Sequence, residues 1–197
     1  ISEFRHAEEA LKESEERFRA LFEQNNSVMF IVDPSTERVV DANPAACSYY
    51  GYDRNTFTSL KITDINVNLT AVEMKGRLRD IQNDSTKQFE STHRLASGEL
   101  RNVEAFTGPV NLDGRPHIHA IVNDITDRKR AENELLRYQR VFSTTPDFIS
   151  LVDKDYVYRM VNDAYLTAFQ KKRDEIVDKS LVELLGKDFF EQTSKPN

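Results

Sequence analysis

A chain of 197 residues, 39% hydrophobic and 30% charged, has enough apolar material for one large or two small cores, which excludes a disordered tail. Its formal net charge of −6 disfavours nonspecific binding to a phosphate backbone, and its single cysteine, Cys47, excludes an intrachain disulfide framework. The densest short apolar run, Val28 to Val32, is far short of a membrane span, so no direct membrane insertion by this chain is expected.

Residues 1–24 read as an amphipathic helix. Phe4, Ala7, Leu11, Phe18 and Leu21 fall at spacings of three and four, with Ser14 as an imperfect member of the seam. The stripe suits either a helix lying on its own domain or a parallel two-chain coiled coil. Ser27 to Asp33 reads as a strand, Asp33-Pro34-Ser35-Thr36 as a turn and Arg38 to Asp41 as a second strand. Asn43 before Pro44 marks a helix start, and Gly51 its end. After short turns and helices, Thr70 to Asn83 is a longer helix with Met74, Leu78 and Ile81 on one face. Three strands follow: Lys87–Leu95, Glu99–Val110 and Arg115–Asn123, separated by Ser97-Gly98 and Asp113-Gly114 turns. Two strands, several helices and three strands suit an α+β fold, a single antiparallel sheet with helices on one side.

The pattern then begins again. Ala131, Leu135, Tyr138 and Phe142 form another apolar helical stripe, Asp147–Val152 and Tyr156–Met160 repeat the first two strands, and Asn162 repeats Asn43. Nothing after Gly186 supplies three further strands, so the second unit reads as incomplete and marginal alone. The organisation expected is an N-terminal helix over 1–24, a full domain over 25–125, a linker helix over 126–142 and a partial second domain over 143–197. Ile1 at the start and Asn197 at the end read as a piece cut from a longer protein.

Few residues suggest bond-making chemistry. His6 reads as surface. His117 and His119 share one strand face but lack further metal ligands in the sequence pattern, and read as sheet-surface residues. There is no glycine-rich phosphate loop, no Cys-x-x-Cys and no nucleophile triad, so no catalytic residue and no metal is assigned. The cluster Arg128-Lys129-Arg130 lies among Asp127, Glu132 and Glu134 and reads as a solvated helix face.

Three stretches carry a resemblance: Glu16-Arg17-Phe18-Arg19-Ala20-Leu21-Phe22-Glu23, then Asp41-Ala42-Asn43-Pro44-Ala45-Ala46 with Gly51-Tyr52, and Asn123-Asp124-Ile125-Thr126-Asp127-Arg128-Lys129-Arg130-Ala131-Glu132. They resemble a PAS domain followed by the first part of another. The last stretch is similar to the junction that follows many PAS domains, with Asp127 where a glutamate is usual. The resemblance implies a five-stranded antiparallel sheet with helices over one face and a pocket between them. It also implies a non-catalytic sensory or dimerising role upstream of a histidine kinase, diguanylate cyclase or other output domain, in a cytoplasmic setting whose parent is free to carry a membrane anchor.

Within that resemblance, the aspartate at the position of Asp124 is expected to hold strand and helix in register. Thr126 is expected to cap the helix and Asp127 to favour its positive end. Met74, Leu78, Ile81, Phe89, Ser91, His93, Val103, Ala105, Phe106 and Ile121 are the candidate pocket walls, suited to a small organic ligand or to a plain core. Haem is disfavoured because the helix Thr70–Asn83 lacks histidine, and a photoactive flavin because Cys47 lies outside the Asn-Cys-Arg-Phe-Leu-Gln motif; Cys47 reads as a small buried hydrophobe. A homodimer through the two apolar stripes is expected. A ligand-free dimerisation scaffold is the alternative.

Overall fold

The computed structural model describes residues 12–13, 16–17, 19–83 and 87–187. The seam residues Phe4, Ala7, Leu11 and Phe18, together with Ser14 and His6, lie outside the described residues. The chain divides into two compact units, Ile1–Lys129 and Arg130–Asn197.

In the first unit, β1 (Val28–Asp33) and β2 (Arg38–Ala42) pair antiparallel. Asp33 closes their turn by accepting from the N–H and hydroxyl of Ser35 and the hydroxyl of Thr36. Four helices follow: α1 (Pro44–Tyr50), α2 (Arg54–Phe57), α3 (Ile62–Ile65) and α4 (Ala71–Gln82). Helix α1 ends at Gly51, whose φ of 77° is a left-handed conformation that glycine adopts without steric cost. Thr70 and Glu73 cap each other's backbone N–H groups at the start of α4. Strands β3 (Gln88–Arg94), β4 (Leu100–Leu112) and β5 (Arg115–Asp124) complete a five-stranded sheet in the order β2-β1-β5-β4-β3, antiparallel throughout.

The run Met29-Phe30-Ile31-Val32 explains why β1 pairs on both edges. A strand apolar on both faces is stable only with partners and cover on each side. Phe30 and Val32 turn toward the helices, where they meet Tyr50, Phe57, Met74, Leu78, Ala105, Ile118, Ala120 and Val122 in one core. Met74, Leu78 and Ile81 are buried on one face of α4, as their spacing predicts. Full burial of each such side chain contributes about 1.5–3 kcal/mol.

Helix α5 (Thr126–Thr144) runs on from β5. The second unit then contains β6 (Ser150–Val152) and β7 (Tyr158–Val161), paired antiparallel, followed by α6 (Asp163–Phe169), a 3₁₀ turn (Arg173–Glu175) and α7 (Leu181–Leu185). Its small core is Tyr158, Val161 and Ile176. Both strands begin later than the sequence pattern suggests. Asn162 takes the Asp147 carbonyl and the Ile149 N–H for itself, and Tyr156 sits in the turn at φ 59°. Among the described residues, no helix is long and apolar enough to cross a membrane.

Candidate functional site: a junction and a cavity

The sequence predicts a junction at the end of β5, and the first unit builds it around one carboxylate. Asp124 Oδ1 accepts the backbone N–H of Thr126 at 2.8 Å. Its Oδ2 accepts the Tyr49 hydroxyl of α1 at 2.9 Å and faces Arg101 Nη1 of β4 at 3.3 Å. Partial burial alone would push this carboxyl up. The bonds from Thr126 and Tyr49, with the Arg101 charge, outweigh burial and hold it below its usual value of 3.8. Burial, reinforced by the hydrogen bond to Asp124, raises the Tyr49 hydroxyl well above its ordinary 10, so it stays protonated and donates.

Thr126 does not do what the sequence suggests. Its hydroxyl accepts the backbone N–H of Asn102 in β4 at 3.0 Å instead of a helix N–H. The carboxylate two residues earlier already serves the helix start, which frees the threonine to staple the first turn to β4. The backbone adds a bond in the same place, Ile125 N–H to Asn102 carbonyl at 2.8 Å. Asp127 lies in the first turn of α5, the helix end where a negative charge is favoured. Arg128 and Lys129 reach Glu90 of β3 at 3.1 and 2.6 Å, so this part of the basic cluster pairs with the sheet. Exposed pairs of this kind contribute little each. Tyr49, Glu90, Arg101 and Asn102 are the junction residues that sequence reasoning missed. All four are brought in by non-local folding, and none carries a local signal.

A small cavity of about 30 Å³ lies between α4 and the sheet. Of the sequence candidates, Met74, Leu78, Ile81, Phe89, His93 and Ala105 line it, together with Phe30, Val32, Ile62, Asn66, Arg77, Thr107, Ile118 and Ala120. Ser91 and Val103 are buried beside it without lining it; the Ser91 hydroxyl accepts from the Asn66 amide at 2.7 Å. Ile121 is a correction. Ile118, Ala120 and Val122 take the core face of β5, and strand alternation turns Ile121 to the other face, opposite Phe106 of β4.

His93 is 2% exposed, and its Nδ1 meets the Tyr50 hydroxyl at 2.7 Å. Burial pushes its imidazole down to about 4, so it is neutral at pH 7. Arg77 lies over the Phe89 ring, 4.7 Å from its centroid. A much larger concavity, about 730 Å³, sits at the far end of the sheet among Asp33, Gln82, Leu112, Arg115 and His117. It is wide, polar and remote from both the core and the junction, so size does not make it the site.

His117 and His119 behave as sheet residues. His117 Nδ1 lies 3.0 Å from the Arg115 carbonyl, and the His119 ring covers Gly108, where a Cβ would approach its Cε1 to 2.8 Å. No group of three or more metal-binding side chains occurs among the described residues. Cys47 is half-buried at the edge of the core, less enclosed than its pattern suggests. On α5, Leu135 and Tyr138 are exposed, Ala131 is exposed and Phe142 half-buried; Leu21 is also exposed.

Comparison with known proteins places this geometry. A PAS domain profile matches residues 25–127, and a PAS fold profile matches residues 136–194. The diguanylate cyclase DgcM of Escherichia coli (strain K12) is 31% identical over 125 residues, 60% of this chain and 29% of that protein. Sporulation kinase E of Bacillus subtilis (strain 168) is 26% identical over 200 residues, 100% of this chain and 27% of the kinase. The chain thus spans less than a third of the length of either relative. The crystal structure of a PAS domain of an HTR-like protein from Haloarcula marismortui superposes with a TM-score of 0.55 at 25% identity, covering 61% of this chain and 99% of that one. With its five-stranded antiparallel sheet and helices, and with a family profile across the first unit, the chain belongs to the PAS domain family.

Proposed function

We propose that this chain is a non-catalytic sensory and relay segment of a multidomain signalling protein. The state of the first unit's cavity and sheet passes through the junction to α5, and from there to an output domain of the cyclase or kinase kind carried by the relatives. One observation carries the reading: the Asp124 carboxylate binds groups from α1, β4 and the first turn of α5 at once. A shift of either the helix layer or the sheet then strains the start of α5, because the same two oxygens serve both. The exposed Leu135 and Tyr138 on α5 support a second element of the proposal, a parallel homodimer seam through Ala131, Leu135, Tyr138 and Phe142. Leu21, with Phe4, Ala7, Leu11 and Phe18, would extend that seam on the preceding segment. The setting proposed is cytoplasmic.

The test is a series of one- to four-residue deletions at Ala131 in the full-length protein, read by its output activity. A relay through helix phase gives output that rises and falls with the deletion length. Uniform output across the series would end this reading. A second reading, a ligand-free dimerisation scaffold, draws support from the small size of the cavity, about 30 Å³. It expects the same dimer with no ligand response.

A further inference from the structure

The helical residues that enter the first unit and the helix that leaves it are both tied to one small block, α1 and α2. On the entering side, the Asn43 amide at the start of α1 donates to the Phe22 carbonyl at 3.1 Å, and to the Asn25 and Ser27 carbonyls at 3.2 and 2.8 Å. Residues 19–23 are helical and Phe22 is 7% exposed, so this tie fixes the last turn of that helix. A second tie comes from Arg54 at the start of α2. Its Nη1 donates to Glu23 Oε1 at 2.8 Å, and its Nε donates to Asp41 Oδ1 of β2 at 3.1 Å. On the leaving side, the Tyr49 hydroxyl donates to Asp124 Oδ2 at 2.9 Å, and Oδ1 of the same carboxylate holds the Thr126 N–H of α5.

The block between the two sides is short and tightly packed. Asn43 and Tyr49 are six residues apart, about 9 Å along a helix. The Tyr50 ring stacks on Phe57 of α2, with centroids 4.9 Å apart and planes at 25°, and both side chains are 0% exposed. Close-packed interiors transmit displacement instead of absorbing it. Asn43, Tyr49 and Arg54 therefore move together. No residue of α1 or α2 lines the cavity between α4 and the sheet; the block meets the cavity wall through the Tyr50–His93 bond.

We infer that α1 and α2 form a lever that couples the entering segment to α5, with Glu23–Arg54 as its input contact and Tyr49–Asp124 as its output contact. The first unit then passes on a mechanical input from the segment before it, with no ligand needed in the cavity. This role rests on the relay reading above and names a source for the input. Such coupling is reciprocal: loosening the input contact affects the output end by the same factor as loosening the output contact affects the input end. Arg54 also holds Asp41, so loss of Glu23 leaves its guanidinium paired and cuts the lever at one end only.

The experiment is amide hydrogen exchange on the whole chain carrying Glu23→Met, Tyr49→Phe or both. It is read at Gln24, whose N–H donates to the Ala20 carbonyl, and at Thr126. Methionine keeps the helix propensity of position 23 and removes the acceptor. Each single variant should raise exchange about threefold at its own end and about twofold at the other. In the double variant, the rise at each end should fall short of the product of the single rises. Glu90→Gln, which weakens the hold of β3 on Arg128 and Lys129 without touching α1, should leave Gln24 unchanged. Ile118, buried in the middle of the sheet, tracks global opening and should hold steady in all four variants. A rise confined to its own end in both single variants, single effects that simply multiply in the double, a response of Gln24 to Glu90→Gln, or a matching rise at Ile118 would each overturn the lever. The deletion series at Ala131 reads output beyond this block, so a phase-dependent output beside a failed exchange test removes the lever and leaves the relay through α5 standing.

Discussion

Asn43 and Asn162 hold the same place in the two units and make nearly the same bonds. The Asn43 side-chain oxygen accepts from Met29 and Ala46, and its amide donates to the carbonyls of Phe22, Asn25 and Ser27. The Asn162 oxygen accepts from Ile149 and Tyr165, and its amide donates to Thr145 and Asp147. Each residue is 0% exposed. Beyond this clamp the units diverge. Ile31 on β1 is 4% exposed, whereas Leu151, at the matching place on β6, is 55% exposed. The clamp is local: one amide closes the loop, caps the helix and pins the strand start. Burial of the strand is non-local, because Ile31 has β5 beside it and β6, among the described residues, has β7 alone. The same early sequence pattern thus builds the same scaffold with or without the later strands.

The largest expected effect attacks the shared clamp. Asn43→Ala strands two N–H groups and three carbonyls in or near the core, and should cost about 3–4 kcal/mol in urea denaturation followed by circular dichroism. Asn162→Ala should raise hydrogen exchange at Ile149 and Tyr165 in the same way. A loss below about 1 kcal/mol for Asn43→Ala would mean that the two clamps are decoration on folds held elsewhere.

A second test uses a group that belongs to the first unit's core. The folded imidazole of His93 titrates at about 4, below its ordinary 6.5. The unfolded chain therefore takes up the proton first. This contribution to stability is fully present above pH 6.5, declines as the pH falls and stops declining below about 4. The expected loss is about 3 kcal/mol across that window. His93→Phe should flatten it. A urea midpoint that is level from pH 6.5 to 4.5 in the parent chain would show the imidazole to be solvated.

Much of this comparison can be read in the sequence, and the unreadable parts share a cause. Asn43 before Pro44 and Asn162 before Asp163 both announce a helix start, because capping needs only neighbouring residues. The donation from Asn43 to Phe22 is hidden, since it requires the chain to fold back first. Met74, Leu78 and Ile81 are legible as one helical face. The faces of β4 and β5 are not, because Phe106 and Ile121 place apolar residues on the outer face as well and blur the alternation. Asp124 is legible only through resemblance. Its partner Tyr49 lies far away in sequence, and nothing in the Ser48-Tyr49-Tyr50 run says which tyrosine turns to the core and which to the junction.

Tyr49→Phe separates those two roles. It removes one bond to a partly exposed carboxylate and should cost about 1 kcal/mol. With that donor gone, the Asp124 carboxyl should titrate closer to 3.8, so the stability it contributes above that pH shrinks. A ¹³C titration of Asp124 and hydrogen exchange at Thr126 read the change directly. An unmoved carboxyl would show that Thr126 and Arg101 alone hold it.

The smallest expected effect is the sharpest statement of the contrast between the units. Leu151→Ala removes a side chain that is already mostly in water and should alter stability by no more than about 0.5 kcal/mol. Ile31→Ala, at the matching place on β1, empties a buried site and should cost about 2–4 kcal/mol. If Leu151→Ala costs as much as Ile31→Ala, the β6 surface is covered in solution. Sedimentation of the parent and variant chains across a concentration series then tells whether a second copy provides that cover. In that case β6 has found, from another molecule, the partner that β1 finds in β5.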